Sequence, residues 1–78
     1  MTRDPLYASI EELISALKYA GAEQLASILH HRMYTVAWTS RSELLDELHD
    51  VLTEGRDGLS GELKGRVQRV LDEVAHAR

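Results

Sequence analysis

The chain has 78 residues and no cysteine, so it holds one domain at most and excludes disulfides and thiolate metal sites. Its 13 acidic residues against 9 basic ones leave a net charge of -4, no electrostatic footprint for nucleic acid, whose binding rests on neutralising phosphates. No apolar run approaches the roughly 18–20 residues of a membrane span, and Met1-Thr2-Arg3-Asp4-Pro5 leads into an amphipathic segment rather than a signal-peptide block, so a soluble cytoplasmic protein is expected.

Four helical segments account for nearly the whole chain. The first has two possible starts. Asp4-Pro5 offers a cap followed by proline at the first helical position, and Ser9 with Glu12 offers a capping box one turn later. Leu6, Ile10, Leu13, Ile14 and Leu17 then recur at helical spacing until Gly21 ends the segment. A second helix is expected from about Ala22 to Tyr34, extending toward Ala37, with Leu25, Ala26, Leu29, Met33 and Val36 on its stripe and Ile28 beside them. Tyr34-Thr35-Val36-Ala37-Trp38-Thr39 is rich in β-formers but short, and reads as a distorted helix end.

The third segment carries its own start, stop and two faces. Ser40 and Glu43 have capping-box spacing, and Gly55 is placed as the stop. Leu44, Leu45, Leu48, Val51 and Leu52 form its apolar face, whereas Glu43, Asp46, Glu47, Asp50 and Glu54 gather in an arc of roughly 100° opposite. Gly55-Arg56-Asp57-Gly58 reads as a loop, and the last helix starts near Ser60. Its stripe is Leu59, Leu63, Val67, Val70 and Val74 with Leu71 alongside. Leu63, Val67, Val70 and Val74 also have coiled-coil spacing, so this stripe either pairs across a two-fold axis or closes a four-helix monomer. Gly65 within it marks a close helix crossing or nothing.

Chemistry is hard to place on these residues. His30 and His31 are adjacent and point about 100° apart on a helix, and no His-x-x-x-His spacing exists, so no metal site is expected. Ser9, Ser40 and Ser60 are explained as caps rather than nucleophiles, and no Gly-x-Ser-x-Gly elbow exists. The acids lie along one helix face instead of flanking a cleft. The glycines before the last helix lack the phosphate-loop spacing. Neither catalysis nor a cofactor is therefore expected. The layout of the second and third helices matches a helix-turn-helix, but the would-be reading helix carries five acids and, near its start, only Arg41.

Protein binding remains. Tyrosine, tryptophan and arginine are the commonest interface anchors, which singles out Tyr19, Tyr34 and Trp38. Trp38 precedes the third helix and can equally fold back over the core. Glu43, Asp46, Glu47 and Asp50 form either a solvated face or a docking surface for a basic partner. The expectation is one all-α domain over residues 1–78, of four helices joined by short links, either an up-down bundle or an orthogonal packing. Its expected role is a small non-catalytic protein that binds another protein, with a helix-turn-helix DNA binder as the alternative. A core this small rarely nets more than about 3–5 kcal/mol, so a homodimer is expected as well.

Overall fold

The computed structural model describes residues 5–35 and 40–78. They form four α-helices, α1 (Pro5–Tyr19), α2 (Glu23–Tyr34), α3 (Arg41–Asp57) and α4 (Gly61–Ala77), and no strand occurs among the described residues. The fold is all-α, as the periodicities predict.

The helix ends follow from local chemistry. Pro5 is the first residue of α1, so the earlier of the two starts is used; Asp4, its proposed cap, lies outside the described residues. Gly21 adopts a φ of 87° just past the end of α1. Its N–H donates to the Lys18 carbonyl at 3.1 Å and the Ala22 N–H to the Leu17 carbonyl at 2.8 Å, the paired bonds of a Schellman stop. Ser40 caps α3, its Oγ accepting from the Glu43 N–H at 3.3 Å. Ser60 holds the N-cap position of α4 but its hydroxyl makes no capping bond. α2 ends at Tyr34; the suggested extension through Val36 to Ala37 lies outside the described residues.

One helix stop differs from the sequence pattern. Gly55 does not end α3, which continues through Arg56 and Asp57 to a cap at Gly58. The segment expected as a loop is therefore the last helical turn. Gly55 is not among the glycines with positive φ, so it makes no stop by the left-handed route. Its role lies in packing: a Cβ built there would meet Leu25 Cδ2 at 2.6 Å and Cδ1 at 2.7 Å. The close helix approach thus falls at Gly55 and not at Gly65. Around Gly65 a Cβ would meet nothing within 4 Å.

The contacts define an up-down arrangement. Each helix packs on its chain neighbours, α4 returns to α1, and the diagonal pairs do not approach. Arg32 of α2 reaches Glu47 of α3, while Leu25 lies against Gly55, so the two helices run antiparallel side by side. On the other flank of α3, Asp46 pairs with Arg78 and Arg56 with Gln68, so α4 also runs antiparallel to it over ten residues, about 15 Å at 1.5 Å per residue. Orthogonal crossing would separate such pairs. The Cα radius of gyration is 11.7 Å, close to the roughly 11.5 Å of a compact chain this long.

The core is the meeting of the four stripes. Leu6, Ile10, Leu13, Ile14 and Leu17 come from α1, Ala26 and Leu29 from α2, Leu44, Leu45, Leu48 and Leu52 from α3, and Val67, Val70, Leu71 and Val74 from α4. No polar or charged residue is buried among the described residues, and no buried side-chain polar atom lacks a partner. The α4 seam closes the four-helix bundle of one chain, because Val67 and Val74 are fully buried and Leu63 packs against the core. The segment is thus not left over for a two-fold coiled coil.

Candidate functional site

α2 contributes only two buried residues, and a groove runs along its α3-facing side. Leu25 and Ile28 lie on its α3-facing shoulder, opposite Val51 of α3 and Leu59 of the following turn. Gly55 lets Leu25 lie directly against the α3 backbone, and Gly58 completes the lining. The result is an open groove of about 750 Å³. Its floor is apolar: Leu25, Val51 and Leu59 are half-buried, packed on the core from outside, and Ile28 is 36% exposed.

The rim is acidic. Glu23 stands at the α2 end, and Glu47, Asp50 and Glu54 follow one another along α3 at i, i+3 and i+7, which helical geometry places on one stripe. Arg32 is the single cation of the groove wall, and its Nε donates to Glu47 Oε1 at 3.0 Å. The arc of acids seen in the sequence is therefore divided between two flanks. Glu47 and Asp50 face the α2 groove, together with Glu54. Asp46 turns the other way and accepts from Arg78 Nε at 2.9 Å on the α4 side. Glu43 lies in the first turn of α3, where its backbone N–H is engaged by Ser40, and is not part of the groove wall.

The tyrosines are placed elsewhere. Tyr34 hydrogen-bonds Glu11 of α1 through its hydroxyl, and its ring lies 5.0 Å from that of His30. It remains 53% exposed, on the α1–α2 side. Tyr19 is 97% exposed at the end of α1, across from the start of α4. Trp38 lies outside the described residues. The structure thus brings Glu47 and Asp50 together with an apolar floor, and leaves Tyr19, Tyr34, Glu43 and Asp46 apart from it.

Leu25, Ile28, Arg32, Val51, Glu54 and Leu59 were not singled out as site residues from the sequence. Ile28 carried a signal, as a large aliphatic residue one step off the stripe of its helix. For Gly55 no local signal existed, because its meaning depends on Leu25 lying opposite. Elsewhere, Arg41 stacks over the Tyr7 ring at 5.8 Å, and His49 Nδ1 lies 4.0 Å from Asp50 Oδ1. Among the described residues no three His, Asp or Glu side chains converge as metal ligands, and no helix is long and apolar enough to cross a membrane.

Compared with protein-family models, with curated proteins and with solved structures, the chain matches none. Its function has to be argued from the groove.

Proposed function

We propose that this protein is a small, non-catalytic cytoplasmic module that binds another protein, and that it does so through the α2–α3 groove. The observation that carries the reading is the pairing of an apolar floor with a charged rim. An exposed apolar trough rimmed by polar groups is the usual mark of an interaction site, since water contact with Ile28 and the half-buried side chains beside it is relieved only when something covers them. Charged rims steer association and select partners more than they add affinity.

The helix-turn-helix alternative has less support. Such motifs cross their helices at roughly 90–120°, whereas α2 and α3 run side by side. The outward residues of the would-be reading helix include Glu43, Asp46 and Asp50, which phosphates repel. A homodimer belongs to the same proposal, although its expected seam on α4 is taken up in the core. Groove-to-groove pairing of two copies would set Glu23, Glu47, Asp50 and Glu54 against their own kind, so self-association has to use another face.

Site-specific photo-crosslinking in the native cell tests the reading. A crosslinker placed at Ile28 should give a discrete adduct with a second protein, and one placed at Arg69, on the α1–α4 side, should not. Equal adducts from both positions, or none from Ile28, would overturn it. Retention on immobilised DNA at physiological salt would favour the alternative instead.

A further inference from the structure

The charge and dimensions of the groove say what kind of segment fits it, and this step rests on the binding reading above. The α2 wall runs from Glu23 to Arg32 and the α3 wall from Glu47 to Gly58, which is about 14–16 Å at 1.5 Å per residue. Three turns of helix cover that length. The floor between Ile28 and Val51 is apolar and the acids lie along the edges. We infer that the groove receives a basic amphipathic helix of about three turns from a partner protein, its apolar residues at i, i+3 or i+4 and i+7 resting on Ile28, Leu25 and Val51, and its lysines or arginines meeting Asp50, Glu54 and Glu23.

Three features single out this occupant. Four acids against one arginine, which already bonds Glu47, leave the rim net negative, so an acidic or neutral segment forfeits the electrostatic term. A second copy of this face is excluded by the same charges. An extended strand has no sheet edge to join, because every described element is helical, whereas an amphipathic helix needs only a groove and satisfies its own backbone.

The test is fluorescence anisotropy on the full chain with a dye-labelled synthetic peptide. The peptide carries leucines at i, i+4 and i+7, lysines on both flanks and alanine elsewhere. Its control has the same composition in an order that scatters the leucines around the helix. Saturable binding of the first peptide, at least about tenfold tighter than the control and weakening with salt, is expected. Ile28→Arg should weaken it by at least about tenfold, as should the paired neutral changes Asp50→Asn and Glu54→Gln, which keep side-chain size in case charge reversal disturbs the fold. Glu12→Lys with Glu73→Lys, a charge change outside the groove, should leave it unaltered.

Equal binding of the two peptides, equal loss in the outside variant, or no saturable binding would overturn the inference. Its failure is separable from failure of the binding reading. An Ile28 adduct in cells with no response to the peptide sinks the basic helix and leaves the module standing; peptide binding without any adduct removes the cellular partner, and both readings fall with it. A rise in solution mass abolished by Ile28→Arg would show a second copy on this face and also overturn it.

Discussion

Gly55 and Gly65 are the same residue in two helices, and they should respond in opposite ways to the same change. A helical glycine costs about 1 kcal/mol relative to alanine when nothing else intervenes. Around Gly65 a Cβ enters open space, so Gly65→Ala should raise stability by about 0.5–1 kcal/mol and the melting temperature by several degrees. At Gly55 the new methyl meets both δ-carbons of Leu25 at under 3 Å. Overpacking of this kind costs about 1–3 kcal/mol, so Gly55→Ala should fall between no change and a loss of about 2 kcal/mol in urea unfolding. A gain as large as at Gly65 would show that Leu25 swings aside at no cost. The two caps divide in the same manner. Ser40 accepts the Glu43 N–H, so Ser40→Ala should cost about 1 kcal/mol. Ser60 accepts no such bond, and Ser60→Ala should stay within about 0.5 kcal/mol. From sequence both serines looked alike, since residue type predicts a cap position well and cannot say whether the hydroxyl turns inward.

α2 is the weakest element of the bundle. It has 12 residues against 15 to 17 for the others, begins at Ala22 with no side-chain cap, and buries only Ala26 and Leu29. A helix this short is marginal alone, so its persistence rests on packing and on its links to Glu47 and Glu11. Amide exchange should therefore be faster along α2 than along α3 and α4 under native conditions. Equal protection in all four helices would mean that opening is global and α2 no separate unit. The four helices were readable because their apolar spacing is local information, and the stripes of α1 and α3 match the buried residues closely. The up-down order was open, because it depends on which stripes meet. For the same reason only half of the groove was legible. Glu47 and Asp50 stood out as part of an acidic arc. The floor that gives them meaning belongs to α2, and its apposition to Gly55 is set by tertiary contact.

At the scale of the whole molecule, the question is whether the fold needs a second chain. The chain's shortness argued for one, since a single core of this size nets only about 3–5 kcal/mol. The closed ring of helices argues against it. Val67 and Val74 are fully buried, Val70 is buried beside them, Leu63 packs against the core, and no polar residue is buried among the described residues. Unfolding of a chain whose folded state requires a partner copy is linked to concentration by mass action. If the bundle is complete in one chain, the urea midpoint should stay constant over an approximately hundredfold range of protein concentration, even where weak self-association raises the solution mass at the upper end. A midpoint that climbs with concentration would mean that part of the apolar surface assigned to one core stabilises a dimer. Constancy has a consequence for the groove as well. Ile28 lies outside the buried set, so its replacement by arginine should leave the unfolding free energy within about 0.5 kcal/mol of the parent while weakening peptide binding. Leu29→Ala, one residue further along α2, should cost about 2–5 kcal/mol, a large part of the total stability. Measured side by side, the neighbouring pair separates what the surface does from what holds the bundle together. A large stability loss at Ile28 would place it in the core and erase the apolar floor on which the binding reading stands.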